Sequence, residues 1–220
     1  MPEVLLVDPA ERDDLGAFVA RAVRLEGQTV VRLQAKAASA GRAESVEAWV
    51  ATPFDALATR SVAGSVRPQD VTVSGSELLA GLAVVGGDRI DPGQARDLLW
   101  RSGLPPAHGW RHVENVPAEV LTELADRGVA VARQHPGPHG TPPASLLDQP
   151  VITVSGGGFD VKVPLRCLFA LSGMGFLGPA GTEATDDEVV RVSATDTWLR
   201  LDARYGAVVR RRHSLLPLLT

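Results

Sequence analysis

The chain has 220 residues, of which 45% are hydrophobic, 22% charged and 5% aromatic, close to average usage in soluble proteins. This composition excludes collagen-like, coiled-coil and wholly disordered chains, and the length fits one domain or two small ones. The 22 basic and 26 acidic residues give a net charge of −4, so the chain as a whole is not attracted to nucleic acids or anionic membranes.

The pattern of residues 1–88 predicts an N-terminal α+β unit. The apolar run at residues 4–7 predicts a strand, and Asp8-Pro9-Ala10-Glu11 then combines an N-cap, an N1 proline and an N3 carboxylate, which indicates a helix start. Apolar residues continue at helical spacing as far as Gly27. From Thr29 the apolar period changes to two, which is typical of a half-buried strand.

The rest of this unit predicts three short strands and a second helix. The strands fall at residues 46–50, 56–62 and 71–73. Ser74-Gly75-Ser76-Glu77 is a capping-box pattern that opens a helix, and Gly86-Gly87 ends it.

Residues 89–134 predict a helical segment, followed by a linker. Asp91-Pro92-Gly93-Gln94 has the pattern of a helix start, and Gly103 is placed to end that helix. Residues 104–115 predict a loop, and a second helix is predicted to begin near Pro117. Residues 135–149 are rich in proline and glycine, which predicts an irregular linker and a domain boundary.

Residues 150–220 predict a C-terminal α+β unit. Apolar runs at 151–154 and 159–163 flank Gly156-Gly157-Gly158, which indicates a hairpin. Pro164 then opens a helix, and three strands are predicted to begin near Val190, Leu199 and Ala207.

The two ends of the chain share the order strand, helix and about three antiparallel strands. We therefore predict an α+β fold with two strand-rich, β-α-β-β-β-like halves, mainly antiparallel sheets and a helical segment between the halves. A repeated unit of this order is similar to the building block of sliding DNA clamps. That likeness concerns topology alone, and fold does not imply function.

Cys167 is the one cysteine of the chain, so it has no partner for an internal disulfide. It lies in the apolar run of residues 165–171, where a thiol usually packs as a small core side chain. A catalytic thiolate would need a cationic or helix-dipole environment that lowers its pKa. We predict a buried structural cysteine.

Four of the five histidines form two pairs with i, i+4 spacing: His108 with His112, and His135 with His139. That spacing suits zinc on a helix, but Pro136 and Pro138 prevent a helix between the second pair. We predict surface histidines in polar loops and no metal site.

Residues 173–178 match the GxGxxG fingerprint of dinucleotide-binding proteins letter for letter. The fingerprint needs a strand before it and a helix after it. Here the preceding residues look helical and Pro179 follows, so we predict the exit of a helix and no bound cofactor.

The last predicted strand carries basic residues beside an aromatic ring. Such a set can contact phosphates and stack on a base, whereas the alternative is an edge strand protected by charge. Arg210 and Arg212 face one side of this strand and Arg211 faces the other. The candidate nucleic-acid-binding residues are Arg204, Tyr205, Arg210 and Arg212.

The N-terminus lacks the basic and apolar regions of a signal peptide, and the longest uncharged stretch, residues 167–182, is interrupted by glycines. We expect a cytoplasmic protein that does not associate with membranes.

Four stretches resemble sequences of a known kind: Val163-Pro164-Leu165-Arg166, Met174-Gly175-Phe176-Leu177-Gly178, Trp198-Leu199-Arg200-Leu201, and residues 109–120. There the chain resembles uncharacterised proteins of similar length from high-GC Gram-positive, actinobacterial-type bacteria. The resemblance covers most of the chain and implies a cytosolic bacterial protein without an assigned reaction.

The leading functional prediction is a non-enzymatic interaction or scaffold module that binds a protein partner or a second copy of itself. The alternative is a nucleic-acid-binding protein that uses the C-terminal arginines. A small-molecule enzyme built on the histidine-rich stretch ranks third. The sequence has no GxxxxGK[ST], HExxH or GxSxG motif, and we predict no catalytic residue.

Overall fold

A computed structural model of the chain describes residues 1–38, 43–84, 89–134, 142–178 and 188–212. The chain divides into two compact units. Unit 1 comprises Met1–Pro53 and Leu57–Gly103, and unit 2 comprises Phe54–Ala56 and Leu104–Thr220. The predicted helical segment 89–134 is therefore shared between the two units.

Unit 1 is an antiparallel sheet with two helices. The strand order is β5-β2-β3-β4, while β1 pairs with the C-terminal part of β4 and β6 pairs with β1. Its elements are β1 Glu3–Leu6, α1 Pro9–Leu25, β2 Val30–Lys36, β3 Ser45–Ala51, β4 Leu57–Arg67, β5 Asp70–Ser74, α2 Gly75–Ala83, β6 Arg89–Ile90 and a 3₁₀ turn at Asp97–Leu99.

The two helices of unit 1 begin where the capping patterns predict. The Asp8 side chain accepts a hydrogen bond from the Glu11 backbone N–H at 3.0 Å, and Ser74 accepts one from the Glu77 N–H at 3.5 Å. Each bond satisfies one of the backbone donors that a helix start leaves without a partner. Both predicted helices are confirmed, and the predicted end of the second at Gly86-Gly87 lies outside the described residues.

The core of unit 1 follows the alternation predicted for β2 and β3. Val31, Leu33, Val46, Ala48 and Val50 are fully buried on one face of the sheet. The intervening side chains belong to the opposite face, as the pleat of a strand requires.

The helix predicted to begin at Asp91 is wrong, because this segment instead covers the outer edge of β5. The backbone N–H of Arg96 donates to the Thr72 carbonyl at 2.7 Å, and the Thr72 N–H donates to the Asp97 carboxylate at 2.7 Å. Pairing with an edge strand needs extended backbone, so only the short 3₁₀ turn remains helical.

Unit 2 is built around an antiparallel sheet of order β12-β11-β10-β7, and β8 and β9 form a separate hairpin. Its elements are β7 Arg111–Pro117, α3 Ala118–Gln134, α4 Ala144–Leu147, β8 Pro150–Gly156, β9 Phe159–Pro164, α5 Leu165–Gly173, β10 Val189–Ala194, β11 Trp198–Ala203 and β12 Gly206–Arg211. Predictions of the hairpin, of α3, of α5 and of the three last strands are confirmed.

The loop predicted for residues 104–115 is wrong at its C-terminal end, where β7 begins. β7 pairs with β10, and its register shifts between Val192 and Ser193, which leaves Val113 as the extra residue. The bulge places Val113 and Val116 on the buried side three residues apart. A period of three does not resemble the alternation of a regular strand.

The glycines between β8 and β9 fit the predicted hairpin turn. Gly157 and Gly158 have φ of 57° and 81°, the left-handed conformations that a two-residue hairpin turn requires. A Cβ on Gly156 or Gly157 would overlap the carbonyl oxygens of Val113 and His112, so the turn lies directly against β7.

The fold class is α+β with mainly antiparallel sheets, as predicted. Of the predicted linker, residues 135–149, residues 135–141 lie outside the described residues, and the prediction of irregular structure is wrong for Ala144–Leu147, which forms α4. No helix in the described part of the chain is long and apolar enough to cross a membrane.

Gly81→Ala should destabilise the protein by about 1–3 kcal/mol, because the new methyl group would overlap the carbonyl oxygen of Asp91. The same change normally stabilises a helix by roughly 1 kcal/mol. Gly16 in α1 faces open space, so Gly16→Ala should show that normal gain. Shifts of the urea midpoint of unfolding measure both effects, provided that the unfolding free energy depends on urea concentration with the same slope in each variant. Equal effects at the two positions would contradict the packing of α2 against residue 91.

Candidate functional site

Arg210, one of the predicted nucleic-acid-binding residues, is buried in unit 2. Its side chain is 8% exposed and forms ion pairs with Asp55 at 3.1 Å and Asp148 at 3.5 Å. Its Nε also donates to the Asp55 carbonyl at 3.2 Å. The guanidinium is therefore engaged with protein groups, and its predicted exposure for phosphate contact is wrong.

A second arginine shares these carboxylates. Arg166 on α5 is also 8% exposed, and its Nε and Nη2 lie 2.8 and 2.7 Å from one oxygen of Asp148. Its Nη1 donates to the Phe54 carbonyl at 3.0 Å. We call Arg166, Arg210, Asp55 and Asp148 the buried arginine network. Two positive and two negative groups balance, as buried charges require.

The carboxylates of this network lie nearer the surface than the guanidiniums. The side chains of Asp55 and Asp148 are 77% and 40% exposed. Asp55 also has a φ of 55°, a left-handed conformation that non-glycine residues seldom adopt. The conformation is maintained where both the carbonyl and the carboxylate of Asp55 accept hydrogen bonds from Arg210. The network has the character of a structural clamp within unit 2.

Cys167 lies beside this network and is fully buried. Burial raises the pKa of its thiol to about 12, although the charges of Arg210 and Arg166 act in the opposite direction. The thiolate is the nucleophilic form of cysteine, so this side chain is inert near neutral pH. The prediction of a buried structural cysteine is confirmed.

At pH 8 the folded protein should not react with an aromatic disulfide reagent, because the Cys167 thiol ionises only at about pH 12. In denaturant its pKa returns to roughly 8.5, and one thiol per chain should then react. Absorbance of the released thiolate measures both rates. Rapid labelling without denaturant would contradict the burial of this residue.

Asp148→Ala should destabilise the protein by about 2–4 kcal/mol, because it leaves the buried guanidinium of Arg166 without its nearest carboxylate. Asp126→Ala, at an exposed position on α3, is the control and should change stability by less than about 0.5 kcal/mol. Urea unfolding measures both variants. Adding Arg166→Met to Asp148→Ala should restore part of the loss, and further destabilisation would contradict the charge-balance argument.

The other arginines at the end of unit 2 contact aromatic rings. Arg211 lies over Trp198 at 4.9 Å from guanidinium carbon to ring centroid, and Arg204 lies over Tyr205 at 5.3 Å. Arg212 is 5.1 Å from the centroid of Phe159, which Arg111 also approaches, at 4.4 Å. Each contact combines cation–π attraction with ring burial.

The four predicted nucleic-acid-binding residues do not form one site. Arg204 and Tyr205 lie in the turn between β11 and β12, whereas Arg212 follows the far end of β12. Six residues of strand separate these ends by about 20 Å. Arg212 and the unpredicted Arg111, which we call the arginine pair, instead come together on Phe159.

The histidines show no metal-binding arrangement in the residues that the structure describes. His112 lies on β7, and its Nε2 is 2.9 Å from the Asn115 side-chain oxygen. His135 and His139 lie outside the described residues. Among described residues no group of three or more His, Cys, Asp or Glu side chains is placed to bind a metal ion.

The GxGxxG match follows a helix, as predicted. α5 ends at Gly173, and the next residues form turns with φ of 65° at Gly175 and 99° at Gly178. A dinucleotide site would need a strand at that place.

Unit 1 presents two exposed leucines on the 3₁₀ turn beside β5. Leu98 is 93% exposed and Leu99 is 51% exposed, and we call them the leucine pair. The turn is anchored on both sides. Before it, Arg96 pairs with Glu77 at 2.5 Å, and after it Trp100 lies against the guanidinium of Arg32 at 5.8 Å. The hydrogen bond from Arg96 lowers the pKa of Glu77.

The sequence did not predict the leucine pair or Arg111 as candidate binding residues. The helix predicted between Asp91 and Gly103 included Leu98 and Leu99, and nothing local distinguishes Arg111 from any loop arginine. Arg166 did carry a signal, because an arginine inside an apolar helix needs a buried counter-charge.

Two family models match the sequence. One, described as "Domain of unknown function (DUF8185)", matches residues 105–215, and another, described as "Domain of unknown function (DUF8010)", matches residues 1–102. The two matches meet where the compact units divide, after Gly103. The sequence matches no curated protein.

The fold is similar to that of bacterial sliding clamps. A protein from Eubacterium rectale described as a DNA polymerase III beta subunit matches with a TM-score of 0.56 and 13% identity, over 97% of this chain and 65% of that one. The sliding clamp of Bartonella birtlesii gives 0.53 and 14%, over 96% and 65%. The Caulobacter crescentus pol III beta protein gives 0.55 and 13%, also over 96% and 65%. The chain thus spans just under two thirds of the length of these proteins.

Proposed function

The chain belongs to the family described as "Domain of unknown function (DUF8185)", and we propose that it is a non-enzymatic scaffold that binds a protein partner through the leucine pair. The partner presents an apolar pocket, and the site lies on unit 1. The proposal places this scaffold in the bacterial cytosol, in line with the resemblance of the four sequence stretches to actinobacterial-type proteins.

The exposure of Leu98 on an anchored turn carries this proposal. Removing a leucine side chain from water is favourable by roughly 1.5–3 kcal/mol of free energy. Leu98 obtains almost none of this stabilisation in the isolated chain, because its side chain remains exposed. The anchors at Glu77 and Arg32 hold the turn in place. A rigid apolar group loses little entropy on binding, which favours a role in recognition.

The fold supports the same conclusion. The similar structures are described as sliding clamps and as beta subunits of DNA polymerase III, so they are components of a larger protein assembly. A fold shared with assembly subunits suits a scaffold, although the residues that perform the function must be argued from the chain itself. The Cys167 thiol, with its raised pKa, is not available as a nucleophile.

Leu98→Ser with Leu99→Ser should abolish capture of the partner, because the polar side chains would no longer fill an apolar pocket. The immobilised chain is incubated with a native lysate of the source organism, and retained proteins are compared with those on the unmodified chain. Val7→Ser with Val84→Ser is the matched control, since both valines are more than half exposed in unit 1.

Proteins lost with the leucine variant and kept with the valine variant would support the proposal, whereas identical sets on all three chains would overturn it. Light scattering identifies the case in which the partner is a second copy. A mass of two chains that falls to one in the leucine variant assigns the leucine pair to self-association.

Nucleic-acid binding is the alternative, and the exposed Arg204 beside Tyr205 is the observation that favours it. Its test is a salt-dependent mobility shift of DNA or RNA that disappears with Arg204→Ala and Tyr205→Ala. Against it, Arg204 forms an ion pair with Glu188 at 4.0 Å, so its charge already has a partner within the chain.

A further inference from the structure

We propose that the arginine pair, Arg111 and Arg212 on Phe159, is a binding site for a carboxylate side chain of an acidic protein segment. This inference rests on the proposed scaffold function and supplies a second contact with a protein partner, on unit 2. The arginine pair and the leucine pair are different residues, so experiments can test the two proposed sites independently.

Three elements bring the two guanidiniums to one ring. Arg111 is the first residue of β7, Arg212 follows β12, and Phe159 begins β9 at the hairpin turn. The hairpin turn can lie against β7 only because Gly156 has no side chain, since a Cβ there would overlap the Val113 carbonyl oxygen. Close packing against β7 therefore fixes the backbone of the turn that precedes Phe159.

Neither guanidinium has a counter-charge among the residues that the structure describes. Arg212 donates from Nη1 to the Thr195 carbonyl and from Nη2 to the Asp160 carbonyl, each at 3.0 Å. The Arg111 guanidinium makes no hydrogen bond or ion pair within the described ranges, and its one recorded contact is with Phe159. The nearby Asp160 carboxylate accepts a hydrogen bond from Ser155 at 2.6 Å.

The geometry favours an anion. Each guanidinium has five N–H donors, so most donors of the pair remain available. The two positive charges can be no farther apart than the sum of their distances to the Phe159 centroid. Two like charges around one ring repel, and a carboxylate bound at either guanidinium offsets that repulsion and accepts forked hydrogen bonds. Several other arginines of unit 2 already have such a partner, as Arg200 has in Asp202 at 2.7 Å.

An acidic polypeptide fits this site better than a nucleic acid does. Guanidiniums contact the Phe159, Trp198 and Tyr205 rings, so these rings are not free platforms for base stacking. Nucleic-acid binding also relies on many phosphate contacts, whereas this site supplies two arginines.

The test measures fluorescence anisotropy of a labelled peptide of alternating glutamate and glycine with the full chain at low salt. A glutamine-for-glutamate peptide and a single-stranded DNA of equal charge are the comparison probes. Arg111→Ala with Arg212→Ala should weaken binding of the glutamate peptide at least about tenfold, a loss of roughly 1.4 kcal/mol. The control, Arg127→Ala with Arg133→Ala, removes the same charge from exposed positions on α3. It should change the affinity for the glutamate peptide less than about twofold.

Equal weakening in both double variants would overturn the inference, because it would show a general charge effect. No binding of the glutamate peptide, or tighter binding of DNA that depends on the same two arginines, would also overturn it. If proteins are still captured through the leucine pair in those cases, the scaffold function stands and only the arginine-pair site falls.

A charge-reversed variant tests the same site by a gain of binding to a new peptide, and not only by a loss of binding. Arg111→Glu with Arg212→Glu should no longer bind the glutamate peptide and should bind a peptide of alternating lysine and glycine. An unfolded variant would not gain that site, so failure of the lysine peptide on a folded variant, verified by circular dichroism, would contradict the inference.

Discussion

Two buried guanidiniums impose the strongest single constraint on unit 2. Arg166 and Arg210 are almost completely removed from water, and charged groups in that position need carboxylates and further acceptors around them. Asp148 supplies one carboxylate, and Asp55 supplies both a carboxylate and a carbonyl oxygen. The need to balance these charges therefore holds α5, β12 and the three residues Phe54–Ala56 in one arrangement, and it maintains the unusual backbone of Asp55.

Arginines recur in unit 2 with three distinct physical roles. Those of the buried network are neutralised by carboxylates, and Arg200 pairs with a neighbouring aspartate near the surface. Arg111 and Arg212 are held by a phenyl ring and by backbone carbonyls. The first two roles stabilise the fold, whereas the third leaves positive charge available to another molecule. Counting basic residues along β12 does not distinguish these roles, because neighbouring positions differ in burial.

The local elements could be predicted from the sequence because their determinants are local. The Asp8 and Ser74 caps, the glycine turn of the β8–β9 hairpin and the apolar stripe of α1 all act within a few residues. β7 could not be predicted, because its bulge against β10 replaces alternation with a spacing of three. Asp91-Pro92-Gly93-Gln94 has a helix-start pattern, yet hydrogen bonds to the edge of β5 outweigh that weak local preference.

Coverage of β5 also limits how the sheet of unit 1 can grow. A free edge strand is a template on which another extended chain can add, by swapping or by fibril formation. Here the N–H and carbonyl of Thr72 are both already engaged by residues 96 and 97. An incoming strand would first have to peel that segment away and break its contacts with Glu77. The stretch that exposes two leucines to solvent therefore also protects this edge of the sheet against the addition of further strands.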